Sequence, residues 1–139
     1  MPVDKRSKLI AIIDDNELMQ DSLCDLIESG GLEAQCFGSA KAFLESDLHP
    51  TIACLIVDIR MPKMSGLELQ GRLKQEESNL PIIFITAFDD AEVRAQAMKE
   101  GAVEFLAKPF NHQLLLKLLR DTINGEPFGR VSPPLAIAS

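Results

Sequence analysis

Residues 51–65 read TIACLIVDIRMPKMS, and the run that opens this stretch decides the fold. Thr51–Val57 is apolar after its first residue, rich in aliphatic and β-branched side chains, and only strand-length, which reads as a strand buried on both faces. It stops at Asp58, after which the loop Ile59-Arg60-Met61-Pro62-Lys63-Met64 leads to Ser65 and a helix to about Glu77. A strand covered on both faces belongs to a parallel sheet, whose connections are helical crossovers.

The same grammar extends in both directions. Toward the N-terminus, Leu9–Ile13 (LIAII) is another short apolar run. Asp14-Asp15-Asn16 ends it with N-cap chemistry for a helix from about Glu17 to Ser29, which Gly30-Gly31 stops. Leu18, Met19, Leu23, Leu26 and Ile27 recur there at helical spacing. Glu33–Phe37 is a weaker strand, and Ser39 caps a short helix through Leu44. Toward the C-terminus, Pro81–Ile85 is a strand with proline at its first position, where no ladder bond is needed. Asp89–Glu100 is a helix ended by Gly101, Val103–Ala107 a last strand broken by Lys108-Pro109, and Asn111 opens a Leu-rich helix to about Ile123.

Strict alternation of this kind predicts an α/β three-layer sandwich, a five-stranded parallel sheet with five helices and right-handed crossovers; the flavodoxin-like strand order 2-1-3-4-5 is the one expected for it. A chain of 139 residues with 46% hydrophobic content fits one such domain, with an aliphatic core in which only Phe supplies rings. We place the domain at 8–124, after an N-terminal tail at 1–7. Residues 125–139, GEPFGRVSPPLAIAS, have no helical period and read as a linker or disordered tail.

Charge and composition exclude several function classes. A net charge of −7 is wrong for direct nucleic-acid binding, which needs clustered Lys and Arg. No apolar run approaches the roughly 18 residues of a membrane span, and the short apolar stretch after the N-terminal basic residues is no signal peptide, so a cytoplasmic location is expected. Cys24, Cys36 and Cys54 form no CxxC pair and are expected to behave as small buried hydrophobes.

In open α/β sheets, ligands bind outside the carboxyl ends of the strands. Asp14 and Asp15 follow the first strand, Asp58 the third, Thr86 the fourth and Lys108 the fifth. In the order 2-1-3-4-5 those strands stand side by side, so the residues are expected to share one shallow pocket. Crowded aspartates repel one another and raise their own pKa values, which a hard divalent ion such as Mg²⁺ would relieve. Such a site suits phosphoryl transfer, which asks for positioning and charge neutralisation, with a carboxylate as nucleophile. Singly, each residue has a plainer reading as a cap or a solvated turn residue. Together they point to chemistry.

The segments IIDDNELM, LIVDIRMPKMSGLEL, IIFITAF and GAVEFLAKPF resemble the response-regulator receiver domains of two-component systems from about Lys8 to Asn124. The resemblance implies that Asp58 is the phospho-acceptor. It implies that Asp14 and Asp15 hold Mg²⁺, Asp15 directly, with Asp58 and the backbone carbonyl of Arg60 completing the protein ligands. Lys108 and the Thr86 hydroxyl would each meet a phosphoryl oxygen, and Pro109 would follow a cis peptide bond after Lys108. Thr86 and Phe105 fall on switch positions, and Arg60 and Phe88 on positions that modulate hydrolysis of the acyl phosphate. The implied partner is a sensor histidine kinase, and the loop after Asp58 looks closest to receivers of transcription regulators. A phosphorylation-driven change is expected in the surface of the fourth helix, fifth strand and fifth helix. The fifth helix carries an apolar arc of about 200°, wider than the roughly 100° a core-facing helix needs, which raises a homodimer there.

Other readings are weaker. An FMN-binding flavodoxin would not put Asp-Asp-Asn-Glu in its phosphate loop, and a haloacid-dehalogenase-type phosphatase would want Asp where Arg60 stands. A pseudo-receiver that only binds partners is the remaining alternative.

Overall fold

The computed structural model describes residues 9–46, 51–87 and 89–124. The expected tails at 1–7 and 125–139, and Phe88, lie outside the described residues. Five parallel strands, β1 (Leu9–Ile13), β2 (Glu33–Phe37), β3 (Ile52–Asp58), β4 (Ile82–Thr86) and β5 (Glu104–Ala107), form one sheet in the order β2-β1-β3-β4-β5. The helices are α1 (Glu17–Ser29), α2 (Ala40–Leu44), α3 (Gly66–Gln75), α4 (Ala91–Lys99) and α5 (His112–Ile123). The expected fold class and strand order are the observed ones.

Successive strand residues alternate between two cores. Ala11, Ile13, Leu55, Val57, Phe84 and Phe105 pack with Phe43, Leu69, Leu73 and Ala97 on the side of α2, α3 and α4. Ile10, Ile12, Cys54, Ile56, Ile83, Ile85 and Leu106 pack with Leu23, Ile27, Leu115 and Leu119 on the side of α1 and α5. This is why the central strands read as unbroken apolar runs: both faces of the sheet are covered.

Two strand ends differ from expectation by one residue. Asp58 and Thr86 are the last residues of β3 and β4 because the ladder continues through them, Asp58 opposite Ile85 and Thr86 opposite Ala107. Each is thereby held by sheet geometry on its backbone. Helix starts follow capping chemistry: the side chains of Asn16, Ser39, Ser65, Asp90 and Asn111 each accept a backbone N–H of the first turn. At Ser65 the Glu68 carboxylate also returns a bond to the cap N–H, closing a capping box. The cap of α1 is Asn16, so Asp14 and Asp15 are left for other work.

The broad apolar arc of α5 is mostly used within the domain. Leu115, Leu116, Leu118, Leu119 and Ile123 are buried, and Leu114 alone of the arc is exposed, at 42%. The helix packs against α1 as well as the sheet, which widens the face it needs: Leu116 and Arg120 both lie against Gly30. α4 is the reverse case, with only Ala97 buried. Its C-terminal half is tied to α3 by the buried Gln70, whose amide donates to the Ala97 carbonyl at 3.0 Å, and by Lys74 to Glu100 at 2.6 Å.

Candidate metal and phosphoryl site

The carboxyl ends of β1, β3, β4 and β5 bring Asp14, Asp15, Asp58, Thr86 and Lys108 to one edge of the sheet. Asp14, Asp15 and Asp58 each present a carboxylate oxygen within 4.8 Å of the others. Lys108 reaches between them, its Nζ 3.8 Å from both Asp14 Oδ2 and Asp58 Oδ2. These are long ion pairs. One ammonium shared by two carboxylates, with a third beside them, leaves the cluster net negative.

The backbone fixes the carboxylates. Asn16 N–H donates to Asp14 Oδ1 at 2.9 Å, and Arg60 N–H donates to Asp58 Oδ1 at 3.1 Å. Each contact is a turn in which an aspartate bonds the N–H two residues on. The second bond turns the remaining Asp58 oxygen toward Lys108. The Lys108–Pro109 peptide bond is cis, and Lys108 N–H donates to the Thr86 carbonyl at 2.7 Å, joining the ends of β4 and β5.

Burial pushes the pKa of both Asp14 and Asp58 above the ordinary value. For Asp58 the neighbouring Asp14 raises it further, while Lys108 and the Arg60 N–H pull it down. For Asp14 the Asn16 N–H and Lys108 oppose burial, and Asp15 adds to it. Asp14 is 2% exposed, whereas Asp15 lies out in solvent. A hard cation fits this donor set. It would meet three oxygen donors already gathered, with an open side for water, and would offset the carboxylate repulsion that adds to burial in raising the two pKa values.

The other expected residues occupy distinct places. Thr86 is 1% exposed and Phe105 is 1% exposed, on adjacent strands. The Phe105 ring packs against Phe84 at 6.4 Å and is covered by the Arg94 guanidinium of α4 at 4.9 Å. The Arg60 side chain is exposed.

Sequence reasoning passed over three supporting residues. Gly66, first in α3, sits so close that a Cβ there would meet the Asp58 carbonyl oxygen at 2.7 Å and Phe84 at 3.1 Å. Its place just after the Ser65 cap was the available signal. Gln20 donates from its side-chain amide to the Asp14 carbonyl at 2.6 Å, one helical turn beyond the Asn16 cap. Arg94 has no sequence signal, since its role depends on where α4 lies over β5.

With fold and site in hand, comparison with known proteins gives the class. Residues 10–120 match the response regulator receiver domain family, and the chain belongs to it. Among curated relatives, it is 40% identical over 129 residues to response regulator protein TodT of Pseudomonas putida, covering 93% of this chain and 57% of that protein. It is 44% identical over 107 residues to transcriptional regulatory protein TdiR of Thauera aromatica, covering 77% of this chain and 47% of the relative. The chain thus spans about half the length of the curated relatives it matches. A solved receiver-domain structure from Clostridium thermocellum superposes with a TM-score of 0.79 at 30% identity, covering 84% of this chain and 94% of that one. Among the described residues, no helix is long and apolar enough to cross a membrane.

Proposed function

We propose that this receiver domain accepts a phosphoryl group on Asp58 from a phosphohistidine of a sensor histidine kinase, in a Mg²⁺-dependent reaction, and signals through the change that follows. The observation that carries the reading is Lys108 placed 3.8 Å from two carboxylates of a net-negative, oxygen-only cluster. Asp14, Asp15, Asp58 and the Arg60 carbonyl would hold Mg²⁺, which supplies neutralisation of the charge on the phosphoryl oxygens. The Arg60 N–H fixes the rotation of the Asp58 carboxylate, so that one oxygen stays aimed at the incoming phosphorus. A bond from that oxygen to phosphorus forms as the donor's P–N bond breaks, and the histidine leaves as neutral imidazole after protonation. Lys108 then pairs with a phosphoryl oxygen, and the Thr86 hydroxyl donates to another.

Beside the site, Met19, Leu23, Leu26, Pro109, Phe110 and the stem of Lys108 line an apolar groove of about 410 Å³, next to α1, whose Leu18 is 79% exposed. That surface supports a protein donor, since a kinase must press close to reach Asp58. That the relative TdiR is a transcriptional regulatory protein favours transcription as the output of the pathway.

The test is incubation with acetyl phosphate and Mg²⁺, read by intact mass and peptide mapping. One added phosphate on Asp58, lost with chelator and in Asp58→Asn, is the expected result. Wild-type protein that gains no phosphate and is not stabilised by Mg²⁺ would make it a pseudo-receiver. Full labelling of Asp58→Asn would assign the acceptor elsewhere.

A further inference from the structure

Cys24 on α1 and Cys36 on β2 are expected from sequence to be separate buried hydrophobes, and the structure brings them together. Both are half-buried and reduced, unlike the fully buried Cys54. The Cys36 thiol lies 3.7 Å from the carbonyl oxygen of Gln20, one helical turn before Cys24. The Cys36 thiol thus sits beside the turn of α1 that leads to Cys24, whose own thiol lies 3.8 Å from Glu28 Oε2.

We propose that Cys24 and Cys36 are a redox-modification site, oxidised reversibly to a disulfide that staples the first helix to the edge strand β2. The bridge would form beside the acidic cluster, because Gln20, which Cys36 contacts, also bonds the Asp14 carbonyl through its amide. Neither thiol is fully buried, so the pair is within reach of a small reagent.

Burial raises both thiols, Cys36 up to about 11, so the reaction is slower than for an ordinary exposed thiol. Burial and the Glu28 carboxylate raise Cys24 less far than burial raises Cys36, which makes Cys24 the attacking sulfur. The oxidant class is a small uncharged disulfide. Asp21, Asp25 and Glu28 surround the pair and disfavour anionic reagents such as glutathione disulfide. Cys24 thiolate attacks the reagent, giving a mixed disulfide and one released thiol. Cys36 then loses its proton and attacks the Cys24 sulfur, releasing the second thiol. Two protein thiols and one reagent disulfide become one protein disulfide and two reagent thiols.

The folded full chain is treated with excess bis(2-hydroxyethyl) disulfide, without denaturant, and analysed by intact mass and peptide mapping. Wild type and Cys54→Ser should each lose two hydrogens with no retained adduct, carry a Cys24–Cys36 linked peptide, and revert with dithiothreitol. Cys24→Ser and Cys36→Ser should form no internal bond. Stable adducts on wild-type Cys24 or Cys36 without the linked peptide would overturn the proposal. So would a bridge to Cys54, or a folded protein that stays reduced while its denatured form oxidises.

Discussion

Replacing Asp58 with Asn in the metal-free domain should stabilise it, and the geometry gives the scale. Lys108 at 3.8 Å attracts the Asp58 carboxylate by about 4 kcal/mol at an effective dielectric of about 20. Asp14, with an oxygen within 4.8 Å, repels it by about 3.5 kcal/mol on the same scale. The exposed Asp15, screened as in water, adds about 1 kcal/mol of repulsion. These contributions nearly cancel, so burial decides the sign, and burial opposes the charge. Asn keeps the shape and the oxygen that accepts the Arg60 N–H. A gain of about 1 kcal/mol is expected, because Lys108 keeps Asp14 as its partner and the substitution leaves no buried charge unpaired. The pH dependence follows from the direction of the shift. Because the folded pKa is raised, the native state holds the Asp58 proton more tightly than the unfolded chain does. Wild-type stability from this group therefore falls as pH rises from the ordinary value of 3.8 through the raised one. The advantage of the variant is full above that window and vanishes below it. Urea denaturation with chelator, at neutral pH and in steps toward acid, measures it. Mg²⁺ at about 100 times its Kd should add about 2.7 kcal/mol to wild type and less to the variant, shrinking or reversing the order. A variant less stable than wild type at neutral pH without metal would refute the reasoning, showing that the Lys108 pair outweighs burial.

Asn16→Ala should cost about 1 kcal/mol by removing the α1 cap, whereas Asp15→Ala should leave metal-free stability within about 0.5 kcal/mol and weaken Mg²⁺ binding; urea melts and Mg²⁺ titration separate the two. Gly66→Ala should destabilise by roughly 1–3 kcal/mol, because the new Cβ drives into the Asp58 carbonyl and Phe84, and phosphorylation by acetyl phosphate should slow with it. Phe88→Ala is expected to speed decay of the aspartyl phosphate by about tenfold, or about 1.4 kcal/mol in the barrier, followed by mass after donor removal.

The fold was legible because each strand that matters is buried on both faces. Leu9–Ile13, Ile52–Val57 and Ile82–Ile85 have no polar interruption, so their period could not be mistaken for an amphipathic helix. The strand ends were harder, since Asp58 and Thr86 look like loop residues and only ladder pairing keeps them in the sheet. The acidic and basic site residues were legible as types at strand ends. Their supports were not: Gln20 and Gly66 act through backbone contacts with Asp14 and Asp58, and Arg94 acts across two elements. The Cys24–Cys36 contact was invisible for the same reason, because it depends on the registry of α1 against an edge strand.

The fastening of α4 at one end gives it the mechanics of a lever. The Gln70 amide and Lys74 grip its last turn, near Ala97 and Glu100, and act as the fulcrum. The opposite end points back toward the end of β4, where Thr86 sits, and carries no fully buried side chain of its own before Ala97. Nine residues at about 1.5 Å each make an arm of about 13 Å. A rotation of about 5° about the fulcrum then sweeps the far end through about 1 Å. Arg94, midway along the arm and stacked on Phe105, would travel part of that distance, so a small pull at the carboxyl edge of the sheet becomes a change in how that ring is roofed.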